Sequence, residues 1–207
     1  MNKLRVIDIF LLPRSWYERL NSKVFTLYIG IFVLGMFDLV LPISANLYRM
    51  FWKASFGVAM HNFLIAVLLS ILLGLIDVVF FSLPLFDLFK FFKKGKIKDR
   101  NNDLLIKFMK AYIISHAWMI VTTILLLLAY YIMGSQANNN FLIYIIIMVY
   151  CIVPLWFVAS VTRGVDCIYN FERKLRPLVF ISVLSWVFLL QMAMGFMMEK
   201  WFILLFR

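Results

Sequence analysis

The sequence has few residues of the kinds that build active sites or disulfides: two cysteines, two histidines and 10 acidic residues among 207. Cys151 lies in an apolar run and Cys167 in the polar segment after it, a spacing that matches no zinc or thioredoxin motif. The chain also lacks the GxSxG elbow, the phosphate-binding GxxxxGK(S/T) and GxGxxG loops and the HExxH zinc motif. These absences favour a protein that is not an enzyme and carries no cofactor.

Charged residues are scarce as well, at 15% of the chain against 65% hydrophobic residues and a mean hydropathy of +0.95. A water-soluble domain of this length needs more polar side chains to cover its surface. The formal net charge of +11 does not indicate nucleic acid, because the basic blocks flank apolar runs and no nucleic-acid-binding motif accompanies them. The composition therefore predicts an integral membrane protein with membrane lipids around it.

Five apolar runs have the length of membrane-crossing helices. The sequence predicts an all-α, polytopic transmembrane bundle of five spans, at about residues 24–45, 56–86, 111–133, 141–161 and 178–198. The second run is longer than a bilayer core requires, so it must tilt, kink near Pro84 or begin in the interface. The tail EKWFILLFR is too short to span again, so the bundle is assigned to residues 24–207.

Residues 1–23 mix apolar, aromatic and basic side chains, which is typical of a segment that lies in the membrane interface. Pro13 lacks a backbone donor and disfavours helix at the residue before it, so we expect a break there and a short helix after it. The segment does not resemble a cleaved signal peptide, since the apolar run comes late and is too long.

Basic residues assign a side of the membrane to each loop. The loops at 87–110 and 162–177 are basic, whereas the turn GSQANNN between the third and fourth spans carries no charge. Most of the 21 basic residues lie in these two loops and in residues 1–23. By the positive-inside rule the N-terminus and both loops are cytoplasmic, and the C-terminus is outside.

Ionisable residues inside the spans are the first candidates for function: Asp38, Asp77, His61 and His116. Asp77 has apolar residues on both sides and could bind a cation, a proton or a partner protein. Alternatively, it is a hydrogen-bonded residue that fixes helix packing, for example against His116. Asp38 lies near the outer end of its span, where we expect it to reach the interface. The two histidines lack the spacing of a metal site.

A basic cluster follows the second span, interleaved with Phe89, Phe91 and Phe92. Its members are Lys90, Lys93, Lys94, Lys96, Lys98 and Arg100. The basic cluster could bind anionic lipid or the acidic surface of a partner, although its charge also serves as a topology marker without further function.

Small and aromatic residues recur at positions that matter for packing in a membrane. Small residues four apart permit close approach of helix backbones, ordinarily within one chain, at Ser70/Gly74, Ala111/Ser115 and Ser160/Gly164. Aromatic rings favour headgroup depth, which we expect for the residues at span ends: Trp16, Tyr17, Tyr48, Trp52, Tyr130, Tyr131 and Trp201.

The run Phe10-Leu11-Leu12-Pro13-Arg14-Ser15-Trp16-Tyr17 before the first span resembles the apolar-Pro-x-x-aromatic opening of the bacterial branch of the Yip1 family. The five-span layout with the N-terminus inside is similar as well. The resemblance implies a non-enzymatic scaffold or accessory protein of a bacterial cytoplasmic membrane, and it supplies no site residues.

Two functions are compatible with these features. The first is a non-enzymatic integral membrane scaffold or accessory subunit that binds lipids, other membrane protein subunits or copies of itself. The alternative is a component of a membrane transporter, a permease-like subunit with Asp77 in the pathway. A lipid-modifying enzyme would require several polar residues that converge at one depth in the cytoplasmic leaflet.

Overall fold

The computed structural model describes residues 11–43, 47–93, 101–133, 140–197 and 200, and nearly all of them are helical. The predicted all-α class is confirmed. A π-helical turn at Tyr48–Trp52 and a 3-10 turn at Arg173–Leu175 connect the longer elements. The α-helices are α1 (Arg14–Glu18), α2 (Val24–Ile43), α3 (Phe56–Phe92), α4 (Asn101–Met133), α5 (Asn140–Tyr169) and α6 (Arg176–Met197).

Four helical segments of the described chain are long and apolar enough to cross a membrane: Phe56–Phe92, Asn101–Val121, Cys151–Tyr169 and Arg173–Met197. Helix α2 is apolar too, with a shorter qualifying stretch at Val24–Val40. The exterior of the bundle also suits lipid, because large apolar side chains such as Phe25, Leu68 and Phe188 are more than half exposed. These features are those of an integral membrane protein.

Three helices extend beyond the predicted spans. Helix α3 continues to Phe92, α4 begins at Asn101 and α5 continues to Tyr169, so most described residues of the predicted loops 87–110 and 162–177 are helical. The boundaries differ because hydropathy reports membrane depth, whereas the hydrogen bonds within a helix continue into water. Helix α5 ends where Asn170 adopts a left-handed conformation with φ 49°.

Helix α2 packs along α3, α4 packs along α5, and α6 contacts both α3 and α5. Glycines set the spacing between α2 and α3, since a Cβ atom at Gly35 would collide with the backbone of Ser70, and one at Gly74 would collide with the backbone of Ile31. The predicted close approach at Ser70/Gly74 is therefore confirmed, and it lies within the chain.

The centre of the bundle is built from aromatic rings. Phe81, Phe89, Phe108 and Phe157 are fully buried where α3, α4 and α5 meet. Phe89 meets Phe108 edge-on at a centroid distance of 5.9 Å. Edge-to-face contacts of this kind fix the ring orientations. This packed layer borders the polar side chain of Tyr112, which stacks on Phe81.

Candidate functional site: an acidic cavity inside the bundle

Helices α2 to α6 all contribute residues to one cavity of about 240 Å³. We call it the acidic cavity. Its polar lining consists of Asp38, Asp77, Tyr112, His116 and Gln191, and the remaining lining residues are apolar apart from Gly195. Two carboxyl groups that originate on different helices thus line the same cavity.

Asp77 of α3 is held by α4. The Tyr112 hydroxyl lies 2.9 Å from Oδ1 and 3.0 Å from Oδ2 of Asp77, so it can donate its proton to either oxygen. His116 lies one turn after Tyr112, and its Nε2 is 4.0 Å from Asp77 Oδ2. The structure therefore brings Asp77 and His116 together, with Tyr112 as a closer partner that the sequence analysis missed.

Ring packing fixes both α4 residues. Tyr112 stacks on Phe81 at a centroid distance of 3.7 Å, and His116 meets Tyr112 and Phe157 edge-on at 4.5 Å each. Because these rings are locked, the hydroxyl of Tyr112 is preorganised to meet the carboxyl of Asp77. An aromatic residue four positions before an intramembrane histidine could have identified Tyr112, since both side chains lie on one helix face.

The structure corrects the prediction for Asp38. Instead of reaching the interface, Asp38 lines the acidic cavity with Asp77. Among the described residues its Oδ2 atom is buried and has no hydrogen-bond partner. The prediction failed because position along a span gives depth only, whereas the rotation of the helix decides which side chains face the bundle.

The other predicted site residues lie elsewhere. His61 is exposed on α3 and does not line the acidic cavity. In the basic cluster, Lys90 is exposed and Lys93 donates a hydrogen bond to the backbone carbonyl of Tyr169. The predicted lipid or partner contacts of Lys94, Lys96, Lys98 and Arg100 lie outside the described residues.

A second polar region holds residues 11–23, which we call the docking segment. As predicted, the chain breaks at Pro13 and the short helix α1 begins directly after it. Tyr17 inserts between α4 and α5 and is only 2% exposed, so its ring packs against protein and does not anchor the chain among lipid headgroups as the sequence predicted. Its hydroxyl lies 3.0 Å from Ser115 Oγ, 2.8 Å from Ser160 Oγ and 3.1 Å from the Ser160 carbonyl.

Small residues create the receptacle for Tyr17. A Cβ atom at Gly164 would come within 2.7 Å of the Tyr17 ring. The pairs Ala111/Ser115 and Ser160/Gly164 thus permit the approach of a side chain between two helices, whereas the sequence predicted an approach of the helix backbones. Burial raises the pKa of the Tyr17 hydroxyl, so this group stays protonated at neutral pH.

Charged residues hold the rest of the docking segment. Arg14 and Arg176 both contact Asp166 Oδ2, at 3.0 and 3.1 Å. Lys110, which is 6% exposed, points its ammonium group at the Asn21 carbonyl, Asn21 Oδ1 and the Lys23 carbonyl, at 2.7–2.8 Å. Three acceptors match the three protons of an ammonium group, so Lys110 ties the segment to α4.

The acidic cavity has the chemistry of a cation or proton site. Carboxyl oxygens accept both, and in hydrocarbon an uncompensated carboxylate costs roughly 2.5–3.5 kcal/mol, so a bound positive charge is favourable there. In the part of the chain that the structure describes, there is no group of three or more His, Cys, Asp or Glu side chains suited to a metal ion.

Comparison with known proteins gives no match to a family profile, a curated protein or a solved structure. The resemblance to the Yip1 family therefore stays a prediction carried by Phe10–Tyr17 and the span layout. Function has to be inferred from the acidic cavity, the docking segment and the apolar exterior.

Proposed function

We propose that this chain is a non-enzymatic component of a membrane transport system, in which the acidic cavity binds a cation or proton on its pathway. The observation that carries this proposal is the presence of Asp38 and Asp77, from two helices, in one cavity inside an apolar bundle. Ionisable residues inside membrane-spanning helices are costly and mark substrate, ion or proton pathways.

Reconstitution tests this proposal. The purified chain is placed in proteoliposomes, and the flux of H⁺, Na⁺ and K⁺ down an imposed gradient is recorded with ion-sensitive dyes. Asp77→Asn keeps the size of the side chain and an acceptor for Tyr112 but removes the charge. We expect it to reduce the protein-dependent flux at least about tenfold. This reduction corresponds to an increase of roughly 1.4 kcal/mol in the free-energy barrier to transport.

The matched control is Asp103→Asn, in the first turn of α4 and outside the acidic cavity. This variant should leave the flux unchanged. Equal flux of H⁺, Na⁺ and K⁺ through the wild type and Asp77→Asn would reject a role of the carboxyl in the transport of these ions.

The topology proposed with this function has five spans, with α2 as the first, the N-terminus inside and the C-terminus outside a bacterial cytoplasmic membrane. Clustering of basic residues on one side supports it.

Labelling of single cysteines tests this topology. Cys151 and Cys167 are first replaced by serine, and Gly95→Cys and Asn139→Cys are then labelled separately with an impermeant maleimide. We expect Asn139→Cys to react on intact cells and Gly95→Cys only after permeabilisation; reaction of both from one side would contradict five spans.

The second candidate is a scaffold or accessory subunit that binds other membrane proteins, copies of itself or lipids. The exposed apolar side chains along α6 favour it, among them Ile181, Phe188, Met192 and Phe196. The resemblance to Yip1-like proteins has the same implication. Under this function Asp77→Asn would leave any ion flux unchanged, whereas polar substitution of Phe188 would remove co-purifying membrane proteins in a mild-detergent pull-down.

A further inference from the structure

The walls of the acidic cavity distinguish between kinds of cation. Among the side chains that the structure describes, four in the lining supply oxygen, namely those of Asp38, Asp77, Tyr112 and Gln191, and the Tyr112 hydroxyl is already engaged with Asp77. Inorganic divalent cations take about six or more oxygen ligands, a number that these four side chains reach only if both carboxylates bind through both of their oxygens. Most of the lining is instead aromatic and aliphatic, and it includes the rings of Phe37 and Phe157.

The volume gives the size of a ligand that fits. An apolar cavity of about 150 Å³ accommodates benzene, so a cavity of about 240 Å³ has room for about ten non-hydrogen atoms. If a fully hydrated inorganic ion entered the cavity, its water shell would lie against apolar walls, where it finds few hydrogen-bond partners. A ligand with its own apolar surface would instead fill the space and keep its charge near the carboxyls.

Hydrogen bonding indicates the charge of the ligand. Asp38 Oδ2 is buried without a partner among the described residues, and Asp77 has a single protein hydroxyl for its two oxygens. Both groups carry a negative charge when ionised, and an uncompensated carboxylate is unfavourable in an apolar bundle, so they favour a positively charged ligand. Aromatic rings attract organic ammonium groups, and Phe37, Tyr112 and Phe157 supply such rings in the same cavity.

We propose that the acidic cavity binds a small lipophilic organic cation, a substituted ammonium ion of about ten non-hydrogen atoms. This inference rests on the proposed function, because it names the substrate class of the same site. The two carboxyls supply the charge complementarity, and the aromatic and aliphatic walls accept the apolar body of the ligand.

Titration of the purified chain in detergent tests the inference. The probe is phenyltrimethylammonium, and its neutral control is tert-butylbenzene, which has nearly the same shape without the charge. A ligand that binds the folded state raises the midpoint of thermal unfolding. We expect phenyltrimethylammonium to raise it and tert-butylbenzene at matched concentration to leave it unchanged.

Two variants and one control locate the site. Asp77→Asn and Asp38→Asn should each weaken phenyltrimethylammonium binding at least about tenfold, whereas Asp103→Asn should not change it. Equal stabilisation by tert-butylbenzene would overturn the inference, since the cavity would then select for apolar bulk alone.

The outcomes also separate this inference from the proposed function. If Na⁺, K⁺ or H⁺ flux depends on Asp77 but phenyltrimethylammonium does not bind, the inference fails and the proposed function stands. If neither flux nor binding depends on Asp77, both fail.

Discussion

The docking site of Tyr17 and the acidic cavity are two polar regions of the same bundle that are built in opposite ways. The Tyr17 hydroxyl has three oxygen neighbours within 3.1 Å, and Gly164 leaves no room for a further carbon atom beside the ring. The acidic cavity has about 240 Å³ of space, and one of its carboxyl oxygens has no hydrogen-bond partner in the described part of the chain. A filled and satisfied polar site stabilises a fold, whereas a roomy and unsatisfied one is suited to binding.

Helix α4 forms a wall of both regions. Ser115 faces Tyr17, while Tyr112 and His116 face Asp77 across a neighbouring side of the same helix. Helix α5 does the same, with Ser160 toward Tyr17 and Phe157 against His116. Substitutions on the Tyr17 side of these helices should therefore lower stability without changing ligand binding, whereas substitutions on the side of the acidic cavity should change ligand binding.

The largest expected effect on stability is that of Tyr17→Ala. Removal of a buried aromatic side chain costs about 3–5 kcal/mol, and here it also leaves the hydroxyls of Ser115 and Ser160 without their shared partner. Titration of the purified chain with SDS in mixed micelles measures the free energy of unfolding. The neighbouring Trp16 is 52% exposed, so Trp16→Ala should change it by about 0.5 kcal/mol or less.

Binding of phenyltrimethylammonium should be the same in Tyr17→Ala as in the wild type, measured at a temperature where both are folded. A Tyr17→Ala protein that is as stable as Trp16→Ala would contradict the view that the docking segment is part of the folded core. Loss of ligand binding without loss of stability would show that the two regions are not independent.

An intermediate effect is expected for Tyr112→Phe. Without the hydroxyl, Asp77 loses its hydrogen bond in a buried environment, which costs about 1–3 kcal/mol. In an Asp77→Leu background the same change should cost close to nothing, because no acceptor is then left unsatisfied. A double-mutant cycle of unfolding free energies measures the difference, and equal costs in both backgrounds would mean that the two residues are not coupled.

Hydropathy predicted the helical fold because each membrane-crossing helix needs a long apolar run, and the runs at 56–86 and 178–198 appear as α3 and α6. The ends of α3, α4 and α5 could not be predicted in the same way, since polar residues extend a helix beyond the bilayer as readily as they form a loop. The long helices are apolar on most faces, so their sequences do not reveal which side faces inward.

That missing rotational information explains the errors at the candidate site. Asp77 was recognised because a carboxyl deep in a span must face the interior of the bundle, and this requirement itself fixes the rotation of the helix. Asp38 was misplaced because its depth allowed two orientations, and Tyr112 was overlooked because a tyrosine in a span is ordinary. Tyr17 was assigned to the headgroups because a sequence does not show a receptacle that forms only when Ser115, Ser160 and Gly164 come together.

The smallest expected effect is that of Arg14→Ala, which removes one of the two arginines on Asp166. The Arg14 side chain is 51% exposed, and Arg176 stays 3.1 Å from the same carboxylate oxygen. Exposed ion pairs contribute about 0–1 kcal/mol and are screened by salt. Arg14→Ala should therefore lower the free energy of unfolding by about 0.5 kcal/mol at low ionic strength and by less at high salt. An effect as large as that of Tyr17→Ala would mean that charge, rather than the buried ring, holds the docking segment. The docking site of Tyr17 would then not be the region that stabilises the fold by close packing.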